Sequence, residues 1–140
     1  MRSILLLIGL LFGAAALADD VPRAVEAELD STARELTRNL PRLIDPLTRW
    51  DSVAAGPGTR FEYKFTLLGH TGDDPALERI FAVLVPSLRH TACTSGSMRY
   101  FFEHGVDVVY VYRSEDGGWE RTVTVSVLDC RPRVIGRIPE

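Results

Sequence analysis

The chain has 140 residues, 46% of them hydrophobic, and a formal net charge of −3. That length suits one domain around one core. Its 16 basic residues are scattered among 19 acidic ones, so there is no stripe to track phosphates and nucleic acid is not an expected partner.

The opening MRSILLLIGLLFGAAALADD sets Arg2 ahead of an apolar run from Ile4 to Ala18 that closes on Ala16-Leu17-Ala18. A cationic start, an apolar run and an A-x-A end describe a secretory signal peptide cut after Ala18. The run is shorter than the roughly 20 apolar residues that span a bilayer, and no cysteine stands near the cut to carry a lipid. An exported protein, periplasmic or secreted and without a stable membrane anchor, is therefore expected. Loss of Arg2 leaves 15 basic against 19 acidic residues, a net charge of −4. The remaining 19–140 are expected to form a single domain, with 131–140 a loose tail.

Asp19-Asp20-Val21-Pro22 opens a predicted helix, with acidic caps before a proline of the first turn. Val25, Leu29, Ala33, Leu36 and Leu40 then recur at the spacing of one apolar face, until Pro41 interrupts the backbone ladder. Leu47–Ala55 and Thr59–Leu68 predict two strands around Gly56-Pro57-Gly58. The second alternates Phe61, Tyr63, Phe65 and Leu67 with Arg60, Glu62, Lys64 and Thr66, the signature of one dry and one wet face.

Gly72-Asp73-Asp74-Pro75 caps a second helix whose stripe of Leu77, Ile80, Phe81, Leu84, Val85 and Leu88 is wide enough to lie on a sheet. Pro86, inside the stripe, predicts a kink or a last turn. Met98, Phe101 and Phe102 at i, i+3, i+4, with Ser95 or Ser97 before and Gly105 after, favour a short helix over a strand at Met98–His104. VDVVYVYR and WERTVTVSVLDC around Ser114–Gly118 form a hairpin. The order α-β-β-α-α-β-β predicts an α+β fold: an antiparallel four-stranded sheet with helices on one face.

Several stretches together are similar to a family of small uncharacterised secreted proteins of proteobacteria. They are LPRLIDPLTRWDSV, GTRFEYKFTL, a cysteine after the second helix, MRYFFEHGV, VYVYRSEDGG and the closing LDC. The likeness runs from Leu40 to Cys130. It implies a compact periplasmic α+β domain and a helical Met98–His104, and carries over no catalytic residue.

RHTACTSGS is where enzyme chemistry offers itself, with His90 three residues before Cys93. Export changes the balance: two cysteines in an oxidising compartment favour a Cys93–Cys130 disulfide over catalysis or metal binding. A nucleophile at a helix C-terminus is also opposed by the helix dipole. His70, His90 and His104 lie in different elements without ligand spacing, so neither a metal nor a cofactor is implied. Asp73-Asp74 and Glu115-Asp116 read as a cap and a turn.

Tyr110 and Tyr112 share a strand face with Val106 and Val108, opposite Val109 and Val111. A strand apolar on both faces is either covered twice or exposes a patch. The expected function is that of a non-catalytic binding or accessory module for another periplasmic or envelope protein. Its contact surface is expected on the open sheet face, with Tyr110 and Tyr112 and with Trp50 and Tyr63 near them. The rivals are a thiol-dependent enzyme centred on Cys93 and His90, and a carrier of a small apolar ligand.

Overall fold

A computed structural model describes residues 20–131; the expected signal peptide 1–18 and all of the expected tail beyond Arg131 lie outside the described residues. Eight elements follow one another: α1 (Asp20–Thr37), β1 (Arg42–Asp45), β2 (Thr48–Ala55), β3 (Arg60–Leu67), α2 (Ala76–Thr94), α3 (Gly96–Glu103), β4 (Asp107–Ser114) and β5 (Glu120–Val125). In α1, Val25 and Leu29 are sealed in the core while Ala33 and Leu36 pack at its margin. The helix stops at Thr37, whose hydroxyl donates to the carbonyl of Ala33 at 2.7 Å, well before Pro41.

The sheet has five strands in the order β1-β2-β3-β4-β5. This corrects the expected four-stranded antiparallel sheet in two ways. β1 is an additional edge strand, which pairs Arg42 with Trp50 and Leu43 with Arg49. All four of its residues are exposed, so it carries no burial pattern. Second, β3 and β4 run parallel, from Arg60 beside Asp107 to Leu67 beside Ser114; the other neighbours are antiparallel. The cause is the α2–α3 connection, which crosses over one face and returns the chain beside β3 in the same direction, as only a long crossover allows.

Alternation sorts the sheet into two faces. Trp50, Val53, Phe61, Tyr63, Phe65, Leu67, Val108, Tyr110, Tyr112, Val123 and Val125 share one core with Val25, Leu29, Leu77, Ala92, Phe101 and Phe102 of the helices. The opposite face carries Arg60, Glu62, Lys64, Thr122 and Thr124, with Val109 and Val111 between them. Val109 lies between Glu62 and Thr124, and Val111 between Lys64 and Thr122. These valines are only 1% and 6% exposed. The two-sided apolar strand is thus central, and its second face is no open apolar patch.

α2 continues past Pro86 to Thr94, so the proline is interior and does not mark the last turn. Its start is held by Asp74, whose carboxylate accepts the amide of Ala76 at 2.8 Å and meets Nδ1 of His70 at 2.6 Å. The preceding loop docks on the β4–β5 turn. A Cβ on Gly72 would fall 2.5 Å from the carbonyl carbon of Gly118, so only glycine permits the approach. Asp116 clasps the joint: it accepts from the Ser114 hydroxyl at 2.6 Å and from the amides of Gly72 and Gly118 at 2.9 and 3.0 Å.

Those donors, Ser114 first, pull the Asp116 pKa down to about 2 from an ordinary 3.8. A carboxylate with a depressed folded pKa stabilises above its unfolded pKa and loses that contribution as pH falls through the folded one. Thermal melts of the parent and of Asp116→Asn should therefore converge between about pH 4 and pH 2. Parallel melting curves across that window would refute the role of the clasp.

Candidate functional site

The three helices do not tile the covered face completely. α1 lies over β2 and the start of α2 lies toward β5, where Phe81 meets Trp119 edge to face at 5.7 Å. Between them a groove of about 680 Å³ remains open. Its floor is Trp50, Tyr63, Phe65 and Tyr110. Glu28, Thr32 and Leu36 of α1 form one wall, and Arg42 and Ile44 of β1 form the rim. Leu88, Thr91 and Ala92 of α2 face them, and Met98, Tyr100 and Phe101 of α3 close one end. A second hollow of about 700 Å³, lined by Ile80, Val83, Leu84 and Tyr112, adjoins it through Leu88 and Thr91. From Ile80 to Ala92 the α2 wall is about 18 Å long, or some three helical turns.

The floor is rigid because its rings pack on each other. Tyr63 and Tyr110 stack at 5.4 Å with planes 12° apart, and Phe65 stacks on Tyr112 at 5.0 Å. Trp50 leans on Tyr63 at 5.6 Å, and its indole N–H donates to the carbonyl of Ser52 at 3.2 Å. Arg42 sits over the Trp50 ring at 4.9 Å. Burial raises the phenol pKa of Tyr63 and Tyr112, and pushes that of Tyr110 up to about 12. All three are neutral donors at any physiological pH.

The structure therefore brings the four candidate surface residues together, but not where they were expected. Tyr110 and Tyr112 point to the helix-covered face with Trp50 and Tyr63, because they alternate in phase with Val108. The open face instead bears a charged cluster. Asp51 accepts from Thr66 and from Arg49 at 2.5 Å each, and lies 3.4 Å from Arg113. Burial raises its pKa, but the hydrogen bonds from Thr66 and Arg49 and the charges of Arg49 and Arg113 outweigh that and hold it below 3.8. This cluster satisfies itself.

Cys93 is bonded to Cys130, with Cα atoms 5.1 Å apart, so it presents no thiolate for His90 to activate. The second cysteine lies five residues beyond β5, in a turn rather than on the strand. The other two histidines are engaged locally. His70 meets Asp74, and Nδ1 of His104 lies 2.8 Å from the Tyr100 carbonyl.

Sequence reading missed Leu36, Arg42, Ile44, Leu88 and Ala92 as groove residues. Leu36 and Leu88 were assigned to apolar helix faces, but nothing showed that the faces would stand apart. Arg42 and Ile44 alternate in RLID, a two-residue signal too short to mark a strand.

No family model and no curated protein sequence matches the chain. Solved structures do. A protein of Pseudomonas aeruginosa assigned as secreted superposes with a TM-score of 0.69 at 14% identity, over 85% of this chain and 100% of that one. The pilotin EpsS of the Vibrio vulnificus type 2 secretion system gives 0.63 at 16% identity, over 81% and 98%. The pilotin AspS of the Vibrio cholerae type II secretion system gives 0.60 at 18%, over 79% and 96%. The chain shares its fold with these three.

Proposed function

We propose that this chain is a non-catalytic accessory module of the cell envelope that holds an amphipathic segment of another envelope protein in the groove between α1 and α2. The observation that carries this reading is the groove with the hollow that adjoins it: together an α2 wall about three helical turns long beside a pre-packed aromatic floor. Rings already stacked lose little freedom on binding, which favours them as anchors. Two solved chains with this fold are pilotins of type 2 secretion systems, which supports a place beside a secretion assembly. Export through the cleaved leader 1–18 belongs to the same proposal. Among the described residues, no helix is long and apolar enough to cross a membrane.

The groove is tested by position. A photo-crosslinking residue at Thr32 on the α1 wall should trap one envelope protein through a segment with apolar residues at i, i+3 or i+4, and i+7. The same residue at Thr122, on the opposite sheet face, should trap none. Thr91→Trp, placed where the two hollows join, should reduce the Thr32 adduct by about tenfold or more, the equivalent of about 1.4 kcal/mol, with the melting temperature unchanged. Adducts from Thr122, or an adduct at Thr32 indifferent to Thr91→Trp, would refute the groove as the docking site.

A further inference from the structure

The floor of the groove holds polar atoms that the protein leaves without partners. Tyr63, Tyr110 and Tyr112 are more than nine-tenths buried, yet no described residue hydrogen-bonds to their hydroxyls, and hydrogen bonding has no part in their raised pKa values. No fully buried side-chain oxygen among the described residues is left unsatisfied, so these oxygens keep some access to solvent; Tyr63 and Tyr110 line the groove and Tyr112 the adjoining hollow. Buried tyrosines ordinarily find a partner for the hydroxyl. Here the rings serve the core, and the hydroxyls of Tyr63 and Tyr110, two residues that line the groove, are left for an occupant.

We propose that the occupant presents an uncharged hydrogen-bonding side chain, a carboxamide or a hydroxyl, from the middle of its apolar face to Tyr63 and Tyr110. This rests on the groove reading above and adds what the groove selects. An acyl chain or an all-aliphatic helix would displace the water and strand both hydroxyls, which a hydrogen-bonding site penalises strongly. A charge on the floor fares no better. Glu28 of α1 and Arg42 of β1, both on the side that α2 faces, make no ion pair among the described residues, so the groove margin carries a charge of each sign. An ion lowered onto the apolar rings gives up its hydration, and Glu28 and Arg42 at the margin, both exposed to water, return little of that cost. The same two side chains suit a polypeptide with mixed charges flanking its apolar face.

Three fluorescein-labelled amphipathic helical peptides of about sixteen residues test this, identical except for Gln, Leu or Glu at the centre of the apolar face. The Gln peptide should bind the mature protein about fivefold or more tighter than the other two, the equivalent of one hydrogen bond of about 1 kcal/mol. Tyr63→Phe with Tyr110→Phe keeps the rings, removes the oxygens and should erase that preference without weakening the Leu peptide. Equal binding of the Gln and Leu peptides, both lost in Thr91→Trp, overturns this inference and leaves the groove reading standing. A Gln preference that survives in the double Phe variant also overturns it. Failure of all three peptides, or tighter binding of a fluorescent dodecanoic acid than of any peptide, overturns both.

Discussion

The protein carrying Cys93→Ser and Cys130→Ser should unfold with about 4 kcal/mol less stability than the parent. The bridge joins residues 37 apart, and the chain-entropy model assigns roughly that value to a closed loop of this length. For a domain whose whole margin is about 5–15 kcal/mol, this is a large fraction. Little else holds the segment after β5. It makes local turns, with Asp129 accepting the amide of Ser126 at 2.9 Å and the Cys130 amide donating to Val127 at 3.3 Å. Val127 and Leu128 remain exposed. Urea unfolding of the two proteins, with and without reductant, measures the difference. The parent should take up no alkylating label until reduced. A stability loss below about 1 kcal/mol, or labelling without reductant, would sink the assignment and reopen thiol chemistry at Cys93.

What could be foreseen depended on how locally each feature is encoded. β3 was legible because Phe61, Tyr63, Phe65 and Leu67 alternate with Arg60, Glu62, Lys64 and Thr66, although Tyr63 was expected near the open face and lies with its three neighbours against the helices. Met98, Phe101 and Phe102 sufficed for α3, since i, i+3, i+4 spacing competes directly with period two. The strand direction of β4 was not legible. Nothing in VDVVYVYR states which neighbour it will join; that follows from the α2–α3 crossover. The face of Tyr110 was ambiguous for a related reason. With valines on both sides of β4, either face could be the core, and the sealing of Val109 by Glu62 and Thr124 depends on the pairing itself.

The groove was least legible of all. Its floor comes from β2, β3 and β4 and its walls from α1, β1, α2 and α3, so no window of sequence contains it. What the sequence did carry was an excess of aromatics on the covered strands. Trp50, Tyr63, Tyr110 and Tyr112 were expected on the open face and lie on the covered one. Tyrosine in a core normally costs a search for a hydroxyl partner, and aliphatic residues would fill the same volume without one. Three such tyrosines on one face, none with a hydroxyl partner among the described residues, are the feature on which the proposed docking groove rests.

That floor leads to the second large effect, at Phe61. Phe61→Ala should cost about 3–5 kcal/mol, the range for removing a fully buried phenylalanine and leaving a cavity. Phe61 has 0% exposure. Its ring stacks on Phe101 of α3 at 5.1 Å and meets Tyr63 edge-on at 5.1 Å. It therefore links the end wall of the groove to its floor. The cavity would open directly behind Phe101 and Tyr63, so the variant should also bind groove probes more weakly under conditions where it is still folded. Phe61→Leu, which retains much of the volume, should cost far less, about 1–1.5 kcal/mol. Leu47→Ala makes the control, because Leu47 is 61% exposed in the β1–β2 turn and lines neither hollow, so its loss should stay within about 0.5 kcal/mol. Urea midpoints for the three variants, read beside the binding of the Gln peptide, separate stability from groove shape. A Phe61→Ala protein within 1 kcal/mol of the parent would mean that α3 can collapse onto β3 unaided. Full stability loss with undiminished peptide binding would instead show that the end wall is no part of the groove.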